Sequence, residues 1–221
     1  MKRMEKKRFQ SLGPVHKIVI HHTTETYRKP VAANVKVLEL KGKLKGYGGV
    51  PYHFVIGNGV AGWHRIGRKR IWAKSIDGGI EIGRPLWAKG AHAIPNRGAI
   101  GIALVGNFNY STPTKRQMNA LKVLVLYLLV RFKLKVDDIV AHREYQSTQK
   151  LCPGKYFDMY AFRKIIGKKL DLLSRDKARK TERGVERKTL QTDLRKQMLK
   201  QLENTLKKYI AKVEDKQVED M

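Results

Sequence analysis

The chain has 221 residues and carries 47 Lys and Arg against 19 Asp and Glu, a formal net charge of +28. That length accommodates one well-cored domain plus an appendage. Its single cysteine excludes an intramolecular disulfide framework, and its longest apolar segment, Ala120 to Phe132, is broken by Lys122 and Arg131 and falls short of the roughly 20 residues that span a bilayer.

The charge is uneven: residues 1–170 hold 33 basic and 9 acidic side chains, and residues 171–221 hold 14 and 10. The surplus therefore belongs to the globular part, which should attract polyanions such as nucleic acid, anionic lipid or the acidic polymers of a cell envelope. The basic start, Met1 to Gln10, leads into no apolar stretch of signal-peptide length. Synthesis in a reducing cytoplasm, without an export signal, is the expectation.

Lys17 to Ile20 is short and β-branched and predicts a strand ending in His21-His22-Thr23-Thr24, polar residues at the rim of a sheet, where sites are built. Val31 to Lys45 reads mostly as a helix, stopped by Gly46 and the glycines after it. Pro51 to Ile56 predicts a second strand before a Gly57-Asn58-Gly59 turn. Gly62 to Gly79, basic and aromatic with Trp63 and Trp72, reads as an exposed excursion. Ile100 to Gly106 is nearly continuously apolar, as in a central buried strand. Ser111-Thr112-Pro113-Thr114 offers N-caps for a helix through Gln117 to Arg131. Val136 to His142 predicts a last short strand. The alternation of strands and helices predicts an α/β or α+β class around a mixed sheet. From about Leu170 the composition shifts, and Leu199, Leu202, Leu206, Tyr209 and Val213 follow heptad spacing on a charged helix. Packing on its own domain is the plainer account of that helix, and self-association through it is the alternative.

Cys152 lies ten residues after His142 and directly before Pro153-Gly154. It is a buried filler, a nucleophile or a metal ligand. Pro-Gly predicts a loop, and Lys150 would favour the thiolate. The spacing is not that of a zinc finger, so any further metal ligand must come from far away in sequence.

Five blocks occur in order: Ile18-Val19-Ile20-His21-His22-Thr23, Val50-Pro51-Tyr52-His53-Phe54, Gly90-Ala91-His92-Ala93, Ile100-Gly101-Ile102 with Gly106-Asn107-Phe108, and His142 through Cys152-Pro153-Gly154. Together they resemble the zinc-dependent N-acetylmuramoyl-L-alanine amidase family, which includes amidase-type phage lysozymes and peptidoglycan recognition proteins. The resemblance covers roughly residues 15 to 165. It implies an α/β fold with a single mixed central β-sheet flanked by helices, here followed by a charged C-terminal helix. The expected organisation is a basic extension over 1–14, a catalytic domain over 15–168 and a helical extension over 169–221.

By that resemblance the zinc ligands fall on His21, His142 and Cys152, leaving a fourth tetrahedral position for water. His22 is the rival to His21; adjacent strand residues face opposite sides, so one of the two points at the metal, and the resemblance selects His21. The implied reaction is hydrolysis of the amide between the lactyl group of N-acetylmuramic acid and L-alanine of the stem peptide. Lys150 resembles the catalytic lysine that would face the oxyanion, and Tyr52 the tyrosine that orients water or assists proton transfer; an ordinary half-buried strand tyrosine is the alternative for Tyr52. Where some relatives carry a glutamate base, this chain has Ala103. His92 is expected to line the cleft or to be structural, and Asn96 to bind the stem peptide or to serve as a turn residue. Glu25 and Glu144 receive no role.

The expected function is a peptidoglycan amidase, a phage or prophage endolysin that acts on the wall after release, with its charge drawn to anionic envelope polymers or the membrane surface. A non-cutting peptidoglycan binder of the same fold is one competing reading. The other is a basic nucleic-acid-binding protein using Trp63 to Trp72, although no specific nucleic acid is expected as the partner.

Overall fold

Lys17–His22 forms β1, which takes in both histidines beyond the expected end at Ile20. It lies parallel between Ala99–Leu104 (β6) and Ile139–Ala141 (β7). Phe54–Ile56 (β2) pairs in parallel with β6, and Ile80–Ile82 (β5) closes the far edge antiparallel to β2. The result is one five-stranded mixed sheet in the order β5-β2-β6-β1-β7, the central sheet expected from the sequence, flanked by helices. Four adjacent strands run the same way, so their carboxyl ends gather along one edge, and in such sheets that edge is where ligands bind. The computed structural model describes residues 9–24, 32–146 and 151–182, with side chains to residue 172. Glu25, Lys150 and the heptad positions from Leu199 to Val213 lie outside them.

The helices start where local chemistry allows. Val35–Leu44 (α1) is capped by Asn34, whose side chain accepts from the Val37 N–H, so Ala32 and Ala33 precede the helix rather than belong to it. Lys115–Phe132 (α2) begins at Thr114 with a reciprocal capping box to Gln117 and ends at Lys133 in the left-handed region. The buried Gln117 amide also donates to the Ile56 and Val105 carbonyls, tying the first turn of α2 to two strand ends. His142–Tyr145 is a single helical turn (α3), so His142 opens a helix instead of closing a strand. The cause is Glu144, whose carboxylate accepts from the Ala141 N–H and turns the chain as β7 ends. Met159–Glu182 forms α4.

Ala61–Ile66 (β3) and Lys69–Lys74 (β4) pair as an antiparallel hairpin separate from the main sheet. The exposed excursion expected here is therefore a folded ribbon. Its inward side chains, Ile66 and Ala73 with Ile71, pack on Val37 and Leu40 of α1. Missing from the expectation as well is β5, only three residues long and pinned by its pairing to β2.

The first described residues already pack in this fold: Leu12 is buried, donates to the Trp87 carbonyl and accepts from the Gly98 N–H. The chain divides into two units, Met1–Ile166 and Gly167–Met221. Among the described residues no helix is long and apolar enough to cross a membrane.

Candidate metal centre

His21 stands in register with Ala103 of β6, whose other neighbour is Val55 of β2, while His22 stands in register with Leu104 beside Ile56. In-register residues share a face, so the two imidazoles leave the sheet on opposite sides. His22 is committed on its side, where Nδ1 accepts from the Phe108 N–H at 3.0 Å. His21 enters the cleft and meets two donors from later segments. The ligand atoms of His21, His142 and Cys152 all lie within 4.8 Å of one another, with Cys152 Sγ 3.7 Å from His21 Nδ1. Bonds of about 2.0–2.1 Å to nitrogen and about 2.3 Å to sulfur would set neighbouring donors of a tetrahedral zinc about 3.3–3.6 Å apart. Two imidazoles and a thiolate at these separations therefore fit such an ion after shifts of about 1 Å or less.

A chain of hydrogen bonds decides which nitrogen His21 presents. His92 Nε2 is 3.2 Å from the Ala99 carbonyl, which can only accept, so that nitrogen carries the proton and Nδ1 is left with a lone pair. His92 Nδ1 in turn lies 3.0 Å from His21 Nε2, which must donate. The lone pair of His21 is thereby placed on Nδ1, the atom that faces Cys152. Gly90 and Gly101 make room for this relay: a Cβ on either would run into the His92 ring. Burial first, and then the His92, His142 and His22 rings, holds the His21 pKa well below the ordinary 6.5. Burial likewise pushes His92 down to about 3 and His22 down to about 4. All three are neutral imidazoles near pH 7, the form that ligates metals and relays hydrogen bonds.

Arg143, next to His142, holds the loop that carries Cys152. Its backbone N–H donates to the Cys152 carbonyl at 3.0 Å, and its guanidinium reaches the carbonyls of Leu151, Gly154 and Phe157. Glu144 accepts from Arg163 through both oxygens at 2.8 and 3.0 Å, which anchors α3. The Arg163 hydrogen bond, aided by the Ala141 N–H, lowers the Glu144 pKa, and the carboxylate is engaged in that clamp rather than turned to the cleft.

The cleft has a volume of about 420 Å³. His21, Tyr52, His92, His142 and Cys152 line it, together with Lys41 and Lys45 from α1 and Asn109. The Tyr52 ring centroid is 5.1 Å from that of His21. Asn96 is not among the lining residues; its side-chain oxygen accepts from the His92 and Ala93 N–H groups at 2.8 and 2.9 Å, so it builds the turn that holds His92. Both ring nitrogens of His92 are bonded within the protein, which directs its hydrogen bonding to His21 rather than to a ligand. Sequence reasoning did not find Lys41, Lys45, Arg143 or Glu144. Only for Glu144 was there a local signal, an acid three residues after the residue whose N–H it takes.

A mixed sheet with His21 and His142 at the carboxyl ends of two parallel strands, and the Cys152 sulfur brought beside them, agrees with what the domain resembles. Residues 11–155 match the model of the N-acetylmuramoyl-L-alanine amidase family, and the chain belongs to that family. Among solved structures, N-acetylmuramoyl-L-alanine amidase LysC from Clostridium intestinale is similar, with 29% identity, a TM-score of 0.55 and coverage of 72% of this chain and 89% of that one. The Ph2119 endolysin from a Thermus scotoductus bacteriophage shares the fold, with 22% identity, a TM-score of 0.53 and coverage of 72% and 90%. Peptidoglycan-recognition protein SC2 of Drosophila melanogaster is 31% identical over 144 residues, 62% of this chain and 66% of the relative. The chain thus spans slightly less than two thirds of the length of that curated relative.

Proposed function

We propose that this chain is a zinc-dependent amidase that hydrolyses the bond between the lactyl group of N-acetylmuramic acid and L-alanine of the peptidoglycan stem, working as a phage or prophage endolysin. The observation that carries this reading is the convergence of His21, His142 and Cys152 donor atoms within 4.8 Å at the floor of an open cleft. A protein that only bound peptidoglycan would have no need of all three. The organisation proposed with it is a catalytic domain over 15–168, a basic extension over 1–14 that is fastened to it through Leu12, and a charged helical extension over 169–221 after it.

A zinc ion held by these residues would supply a Lewis acid for the scissile carbonyl and bring the pKa of water to about 7. The protein's own groups do the remainder. His92 keeps His21 in the tautomer that offers Nδ1, and Arg143 keeps Cys152 against it. Tyr52, beside His21, orients the attacking water or passes a proton toward the departing amine. Lys150 is assigned the developing oxyanion. With Ala103 next to His21 in the sheet and Glu144 tied to Arg163, neither position offers a carboxylate base to the cleft, so water orientation and proton transfer rest on Tyr52 while Lys150 faces the oxyanion.

The test is to incubate purified protein with peptidoglycan, with and without chelator, while measuring bound zinc. The expected result is about one zinc per chain and release of free L-alanine amino termini that stops on chelation. Cys152→Ser should abolish release while leaving the circular dichroism spectrum unchanged. Clearly less than one zinc per chain, with no new amino termini, would instead assign the chain to proteins of this fold that bind peptidoglycan without cutting.

A further inference from the structure

The β3–β4 hairpin is the feature that the hydrolytic centre leaves unexplained. One side of the ribbon is fastened to the domain: Ile66, Ile71 and Ala73 pack on Val37 and Leu40, and the His64 ring donates to the Ala32 carbonyl. The other side is presented outward. Trp63 pairs with Trp72 and Arg65 with Arg70 across the ladder, and Lys74 falls on the same face by the two-residue alternation. The two indoles are 59% and 51% exposed, with ring centroids 5.3 Å apart, and Arg70 sits 5.0 Å above Trp63. From Gly57 to Ile76 the chain carries five basic residues and no acidic one.

We propose that this face docks the protein on anionic phospholipid bilayers, with the indoles at the headgroup level and the cations on lipid phosphates. Tryptophan, arginine and lysine side chains can only donate hydrogen bonds, so the face calls for a partner rich in acceptors and negative charge. A sugar polymer fits poorly, because no side chain here accepts from a hydroxyl and the indoles are inclined at 70°, giving no flat platform for a ring. A duplex fits less well too: its phosphates would meet the cations, but it offers the two exposed indoles no apolar layer. A bilayer interface supplies both an apolar layer for half-exposed indoles and phosphates for the cations around them. The inward packing on α1 holds the ribbon in place, so its outer face is preorganised for a flat surface.

The experiment uses the full chain and vesicles of equal parts phosphatidylglycerol and phosphatidylcholine, read by co-sedimentation in physiological salt. Trp63→Ala with Trp72→Ala should weaken binding by on the order of tenfold, and Arg65→Gln or Arg70→Gln by about fivefold each. In a Trp87→Phe background the remaining indole fluorescence should shift to the blue on the vesicles and be quenched by lipid brominated in its acyl chains. Urea unfolding confirms that each variant is folded. Unchanged vesicle affinity of the double tryptophan variant overturns the proposal; so does a loss confined to duplex DNA or to lipid-free cell walls, which would make one of those the partner. Vesicle binding is measured without peptidoglycan, so the proposal stands or falls separately from amide hydrolysis.

Discussion

At the scale of single residues, the decisive one beyond the three donors is His92. It touches no solvent-facing partner with either nitrogen, yet its two bonds determine which atom of His21 faces the thiol. Replacing it with leucine keeps volume and removes the acceptor, which frees His21 to take the other tautomer. Asparagine keeps an acceptor near the Nδ1 position. The expected outcome is a fall in zinc affinity of about 10–100-fold for His92→Leu, the usual effect of losing a partner behind a ligand, with substantial recovery in His92→Asn. Chelator competition measures the affinity, and nitrogen-15 NMR of metal-free protein reads the His21 tautomer directly. Equal affinities and an unchanged tautomer in both variants would leave His92 as a packing residue. His21, His142 and Cys152 were legible as residue types within recognisable blocks, and the fold brings their candidate ligand atoms within 4.8 Å of one another. The relay was not, because it joins residues 71 positions apart and depends on which ring nitrogen faces which neighbour.

At the scale of elements, the centre depends on how α3 and the Cys152 loop are pinned to one another. A carbonyl-only partner set suits a planar guanidinium with several donors, and Arg143 uses that geometry on Leu151, Gly154 and Phe157. Arg143→Ala should therefore loosen Cys152 and cost about tenfold or more in zinc affinity, while Arg143→Lys should recover little, since one ammonium cannot span those carbonyls. Chelator competition checks the affinity and urea unfolding separates it from a general loss of fold; full recovery by lysine would reduce the role to charge. How far each element could be read ahead follows the same logic. Thr114 and Gln117 announce α2 through a local capping box, and β6 announces itself as an unbroken apolar run. The hairpin escaped because its tryptophans face outward while His64, Ile66 and Ala73 make the inner face, so the alternation is not one of apolar with polar. The helical start at His142 escaped because it depends on Glu144 and Arg163.

At the scale of the molecule, folding gathers neutral histidines under the sheet edge, and this ties stability to pH. His53 is the cleanest case because it lies behind the centre: it is wholly buried, donates from Nε2 to the Ala88 carbonyl at 2.9 Å and accepts the Gly101 N–H on Nδ1 at 3.0 Å. Both bonds require a single ring proton. Burial is the main cause that pushes its pKa down from the ordinary 6.5 to about 4, and nearby Arg84 adds to it against the opposing pull of the Ala88 carbonyl. The unfolded ring takes up a proton that the folded ring refuses, so this histidine stabilises the fold fully above pH 6.5. That contribution, about 3 kcal/mol for a shift of this size, is lost progressively as the pH falls from about 6.5 to about 4. Urea unfolding of metal-free protein across that window should show stability declining on acidification. In His53→Gln, which starts lower at neutral pH, the decline should be shallower by about one proton's worth of slope. Identical slopes for parent and variant would mean that His53 is protonated alike in the folded and unfolded chains, and that its two backbone bonds do not hold the ring neutral.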